Sequence, residues 1–111
     1  MKITMKQVGA VAVLNCAGKI LVEEGVDTLR DFVSHLIAGG QNLILVNLSE
    51  VPFVDSSGVG EFVFALQTVE KAGGRLKLVN LQKWVEQRFR RVKLYDLFDV
   101  REDEAAALQS F

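Results

Sequence analysis

The residue types with the most chemical potential sit together in Asp55-Ser56-Ser57-Gly58-Val59-Gly60. An acid, two hydroxyls and two glycines follow an apolar run, Asn42 to Leu48, and precede a helical pattern. At a helix start they meet unpaired backbone N–H groups and the positive end of the helix dipole, which together stabilise an anion. Ser56, at the cap or one residue from it, can offer its oxygen to those N–H groups. A phosphate on that oxygen brings about −1.5 to −2 charges at pH 7 to a place suited to hold them. Gly58 and Gly60 lack a Cβ, so a phosphate or another molecule's backbone can approach closely. The same residues also make an ordinary strand-to-helix turn, with Asp55 or Ser57 as a simple cap. Residue chemistry leaves both readings open.

Other chemistries find less support. A hydrolase needs a nucleophile, a base and an orienting acid. His35 is the sole histidine and falls off the apolar stripe of its helix, and no Gly-x-Ser-x-Gly elbow occurs, so no catalytic residue is assigned. Gly58-x-Gly60 continues into Phe62-Val63 without a third glycine, and there is no Gly-x-x-x-x-Gly-Lys-Ser/Thr, so no dedicated nucleotide or cofactor site is expected. Cys16 and His35 have no metal-ligand spacing; Cys16, on an apolar strand, reads as a small core residue. Lys83, Arg88, Arg90, Arg91 and Lys93 cluster on one helix, where a solvated face and cations near a helix C-terminus are the ordinary explanation. Trp84 and Phe89 on that helix are expected in the core.

The elements that must position Ser56 follow from hydrophobic periodicity. Ile3 to Val8 and Ala10 to Ala17 read as a hairpin turning at Gly9, with the first strand at an edge. Val26, Leu29, Val33, Leu36 and Ile37 keep helical spacing until Gly39-Gly40. Leu43 to Leu48 is a strand covered on both faces, the expected centre of the sheet, and Pro52 cannot extend its ladder. A second helix starts near Ser57, with Val59, Phe62, Val63, Leu66 and Val69 inward and Glu61, Gln67, Glu70 and Lys71 wet. Leu76 to Leu81 is a strand and Gln82 to Val92 a third helix. Leu94 to Phe98 is a turn, Asp99-Val100 an extended piece, and Glu102 to Glu104 open a last helix. The expectation is an α/β fold over residues 1–111 as one domain: a mixed four- to five-stranded sheet, an N-terminal β-hairpin and about four helices.

Composition narrows the partners. Half the residues are apolar, 24% are charged, and thirteen basic side chains face fourteen acidic ones, for a net charge of −1. Nothing global attracts nucleic acid or an anionic membrane. One cysteine forms no internal disulfide, and neither a signal peptide nor a membrane-length apolar run is present, so the cytoplasm is the expected location.

Asn47-Leu48-Ser49-Glu50-Val51-Pro52-Phe53-Val54-Asp55-Ser56-Ser57-Gly58-Val59-Gly60 after an apolar strand resembles the signature of the STAS domain family, specifically its stand-alone bacterial anti-sigma factor antagonists. Gly18, Gly73-Gly74 and the Leu94–Phe98 segment extend the likeness over almost the whole chain. The resemblance implies a STAS-type fold and a protein-binding switch in place of a catalyst. Ser56, directly after the aspartate, is then the phosphate acceptor. Asp55, Ser57, Gly58, Gly60 and Glu61 form the partner surface, with Glu23 and Glu24 on the neighbouring connection. The implied partner is an anti-sigma factor serine kinase, which the unphosphorylated protein binds to free a sigma factor; phosphorylation breaks the complex, and a metal-dependent phosphoserine phosphatase resets it. Leu21 stands where the family often has an acid. That departure keeps open an alternative from another class: a non-switching STAS scaffold, or a subunit of a larger signalling or lipid-transport assembly.

Overall fold

The computed structural model describes residues 2–19 and 26–111. Within them the order is β1 (Lys2–Val8), β2 (Val11–Ala17), α1 (Val26–Ala38), β3 (Leu43–Glu50), α2 (Ser56–Lys71), β4 (Arg75–Val79), α3 (Lys83–Arg91), β5 (Asp99–Arg101) and α4 (Glu104–Gln109), with a 3-10 turn at Tyr95–Leu97. The five strands lie side by side in chain order, so β3 is central and β1 is an edge. β1 pairs antiparallel with β2, and β2, β3, β4 and β5 run parallel. The expected mixed sheet with an N-terminal hairpin is therefore present, at its five-stranded limit.

The alternation of side chains across β3 explains its central position. Ile44, Val46 and Leu48 pack on one face with Leu29 and Val33 of α1 and Val59, Phe62 and Leu66 of α2. Leu45 faces the other way, with Val11, Val13 and Val79, and is covered by Ala107 of α4 and by Phe111. Phe89 joins α3 to the larger cluster, 5.6 Å from the Phe62 ring and 5.4 Å from that of Phe98.

Two local features shape the end of the sheet where the strands of the parallel set finish. Register between β2 and β3 shifts after Asn15, and beyond the shift Ala17 pairs with Glu50 and the Gly18 N–H donates to the Glu50 carbonyl at 2.9 Å. Such an irregularity bends the strand and redirects the chain beyond it. Asn80 adopts φ +60, a conformation asparagine tolerates, and ends β4 before Leu81. Leu81, expected in that strand, lies in the loop beyond it and packs against the core edge.

Trp84 departs from the expectation. Phe89 is buried, but Trp84 is 69% exposed. At ~100° per residue, Val85, Phe89 and Val92 share one face of α3, and Trp84 falls on the flank with Arg88 and Arg91. Met5, which alternation along the edge strand groups with Ile3, is also exposed, whereas Ile3 reaches the core.

Candidate functional site

The loop from β3 to α2 is held by alternate residues. Val51 and Val54 are buried, while Pro52 and Phe53 face outward. The Val51 N–H closes a turn onto the Leu48 carbonyl at 3.0 Å. The next loop braces this one: Gln82 Nε2 donates to the Ser49 carbonyl at 2.7 Å and Asn80 Nδ2 to Asn47 Oδ1 at 3.3 Å. Asn47 Oδ1 also accepts the Ser49 N–H at 3.0 Å. The polar asparagine that interrupts the β3 apolar run thus ties two loops at the carboxyl end of the parallel strands, the end where open α/β sheets place their sites.

α2 begins one residue earlier than expected, and Asp55 is its cap. Asp55 is extended, at φ −82 and ψ 173, and its Oδ1 accepts the Gly58 N–H at 2.6 Å. The Asp55 carbonyl accepts the Val59 N–H at 3.0 Å, the first turn of the helix. Capping by a carboxylate satisfies one orphan donor and complements the dipole. Ser56 and Ser57 are the first two helical residues, and both are exposed. Among the described residues, the Ser56 hydroxyl makes no hydrogen bond. Gly58 is buried against the sheet, whereas a Cβ built on Gly60 meets nothing within 4 Å.

The exposed side of α2 runs from Ser57 through Gly60 to Phe64, at spacings of three and four. Phe64 is 43% exposed. Glu61 sits beside this strip but is engaged within the protein. Arg30 of α1 grips it bidentately, Nη2 to Oε1 at 2.5 Å and Nε to Oε2 at 3.0 Å, and the Glu61 side chain is only 18% exposed. The same guanidinium lies 4.3 Å from the centre of the Phe64 ring. Arg30 therefore clasps α1 to α2 and carries a positive charge to the edge of the strip. Sequence reading placed Glu61 on the wet face and missed Arg30, because the two are 31 positions apart and share no local pattern. Glu23, Glu24 and Leu21 lie outside the described residues. The connection that carries them leaves β2 at Gly18, which is hydrogen-bonded beside the Ser56 loop.

Elsewhere the groups capable of chemistry are accounted for. Cys16 is buried, and burial pushes its thiol from the ordinary 9.0 up to about 12, which makes it inert at neutral pH. His35 is exposed on α1. Among the described residues no group of three or more His, Cys, Asp or Glu side chains is placed to hold a metal ion, and no helix is long and apolar enough to cross a membrane.

A five-stranded sheet with this order, and a capped Asp-Ser-Ser-Gly helix start at its carboxyl end, define a class. The STAS domain profile matches residues 2–107, and the chain belongs to the STAS domain family. A curated relative, the anti-sigma-B factor antagonist of Bacillus subtilis (strain 168), is 33% identical over 96 residues, which is 86% of each chain. A crystal structure from Thermotoga maritima, of a candidate anti-sigma factor antagonist, superposes with a TM-score of 0.89 at 23% identity, covering 97% of this chain and 92% of that one. The phosphorylated form of the Bacillus cell fate determinant SpoIIAA has the same fold, with a TM-score of 0.74 at 23% identity, covering 99% of this chain and all of the other.

Proposed function

We propose that this protein is a phosphorylation-controlled antagonist of an anti-sigma factor. In the unphosphorylated state it binds an anti-sigma factor serine kinase through the Asp55–Gly60 turn and the Ser57–Gly60–Phe64 strip, and the bound kinase no longer holds its sigma factor. The kinase then moves the γ-phosphoryl group of ATP onto Ser56 Oγ, leaving ADP, and the complex separates. A phosphoserine phosphatase hydrolyses the ester and restores the binding form.

The observation that carries this reading is the division of labour between Asp55 and Ser56. Asp55 makes the capping bond, so the Ser56 hydroxyl is exposed and uncommitted on the first turn of a sixteen-residue helix. Phosphorylation then costs the fold no hydrogen bond. The Gly58 N–H is already taken by Asp55, so a phosphate is served by the dipole and the N–H groups before it, and it faces outward beside a carboxylate. A neutral patch becomes strongly anionic. A partner surface that desolvates the patch must bury or repel that charge, and like-charge contacts of this kind cost several kcal/mol. No large motion is required. Identity to an anti-sigma-B factor antagonist over most of both chains supports the choice of partner class.

The test is a pull-down from source lysate with wild type, Ser56→Ala and Ser56→Asp as baits, with and without ATP. The expected result is that wild type and Ser56→Ala retain an ATP-binding serine kinase, that ATP releases only the wild type, and that Ser56→Asp retains none. Retention of one non-kinase partner by all three overturns the switch and identifies a scaffold on a STAS fold.

A further inference from the structure

Immediately beside the Ser56 loop lies a groove of about 440 Å³, lined by Pro52, Phe53, Trp84, Gln87, Arg88 and Arg91. We propose that it docks an acidic segment bearing apolar side chains, supplied by the same protein partner that covers Ser56. The inference rests on the proposed switch for the partner's identity, and on this groove alone for its chemistry.

Exposure is the first argument. Trp84 at 69% and Phe53 at 37% leave two aromatic rings in water on adjoining elements, although the core has room for Phe89 on the same helix. Aromatic residues and arginine are the types enriched where protein partners dock, and they dominate binding energy there. Charge is the second. Lys83, Arg88 and Arg91 have no carboxylate partner among the described residues; Glu86, the acid of α3, is paired with Arg90 on another side. The chain as a whole is slightly acidic, so this cationic stripe is local and does not follow from global charge. Arg88 lies 5.8 Å from the centre of the Phe53 ring, which brings a guanidinium over an aromatic wall of the groove.

Shape is the third. Trp84, Gln87, Arg88 and Arg91 recur at spacings of three and four, so they line one stripe along two turns of α3, ~10 Å long at 1.5 Å per residue. Trp84 stands at one end of the stripe and Arg88 and Arg91 at the other, with Phe53 facing them from the loop, so an elongated occupant carrying both carboxylates and apolar groups matches it. Phe53 lies three residues before Ser56 in the same braced loop, so at most about 11 Å of chain separates the groove wall from Ser56, within the span of a single protein partner.

Trp84 is the only tryptophan, so its emission reports the groove directly. The experiment titrates the full chain with three probes: a blocked octapeptide alternating glutamate with leucine and phenylalanine, its twin with lysine for glutamate, and Mg-ATP. The expected result is a saturable blue shift with the acidic peptide, at least ten-fold weaker binding of the lysine twin, and amide shifts at 53 and 84–91. Arg91→Glu, and separately Arg88→Glu with Arg91→Glu, weaken the acidic peptide by ten-fold or more, with unchanged far-UV circular dichroism. Equal binding of both peptides, no saturable change, or preferential binding of Mg-ATP overturns the proposal, the last in favour of a nucleotide. Ser56→Asp is titrated in parallel and retains the acidic peptide. A groove that binds while no kinase is captured upholds the groove's chemistry and removes both the switch and the partner's identity; a captured kinase with an inert groove upholds the switch and overturns the groove.

Discussion

Asp55 Oδ1 holds the Gly58 N–H at 2.6 Å, and the two serines between them are left exposed. Cap and proposed acceptor are thus different residues, and they separate by mutation. Asp55→Ala should lower stability by about 1 kcal/mol, the ordinary cost of losing a carboxylate cap. Ser56→Ala should change it by no more than about 0.5 kcal/mol, as for a surface residue without a partner. Urea unfolding of both variants measures the contrast; an equal loss in the two would mean that Ser56 shares the cap.

The phosphorylated protein should differ from the unmodified one only nearby. Amide shifts should cluster at 54–60 and on adjoining surface, with the β2–β4 ladders unmoved. Two-dimensional nuclear magnetic resonance of the two forms decides this, and shifts spread through the sheet would point to a conformational switch instead.

Gly60 and Gly74 should respond oppositely to alanine. A Cβ at Gly60 meets open space in the interior of α2, so Gly60→Ala should stabilise the fold by about 0.5–1 kcal/mol. It should nevertheless weaken partner binding if the proposed Ser57–Gly60–Phe64 strip is the contact surface, because the methyl would stand on that strip. A Cβ at Gly74 would collide with the Asn42 backbone carbonyl, so Gly74→Ala should unfold the protein or lower its thermal midpoint sharply. Melting curves combined with a binding assay read both.

The Arg30–Glu61 clasp should be worth about 1 kcal/mol: its bidentate geometry favours a larger value, but the Arg30 side chain is 40% exposed and solvent screens it. A double-mutant cycle with Arg30→Ala and Glu61→Ala isolates the coupling. A coupling near zero would show that Glu61 is not what holds Arg30 in place.

Cys16 links stability to alkaline pH. Its thiol is raised by burial, so the folded protein keeps a proton that the unfolded chain releases near 9.0. The contribution is complete below pH 9 and is lost as pH rises from there towards about 12. Cys16→Ala should flatten this part of the stability profile. Native protein at pH 8 should resist iodoacetamide, and rapid alkylation would contradict the burial.

Much of the fold was legible because its signals are local and mutually consistent. The unbroken β3 run, the glycine stops after α1 and α2, and acids before α4 each act within a few residues. The turn at Ser56 was legible for the same reason, with Asp55 one of its two expected caps, although the helix starts one residue earlier. What escaped depends on distant neighbours. Arg30 meets Glu61 only when α1 and α2 pack. Lys77, within a strand that reads as apolar, is 4% exposed because its Nζ reaches the Ser110 carbonyl and hydroxyl, each at 2.7 Å, and lies 3.4 Å from Asp99. Trp84 was misplaced because aromatic residues on a helix suggest core until the angular position is worked out from Val85 and Phe89.

The parallel strands give the molecule two unlike ends. The Ser56 loop and the Asn80–Gln82 loop occupy one. The Gly9 hairpin turn and the Gly39–Gly40 and Gly73–Gly74 turns occupy the other, a strand's length away. A fluorophore or surface tether grafted at the exposed Gly9–Ala10 turn would leave the Ser56 end unobstructed. Handled from that side, the protein could be arrayed on a chip with every copy presenting Ser56 to the solution, and the proposed association and release followed there directly.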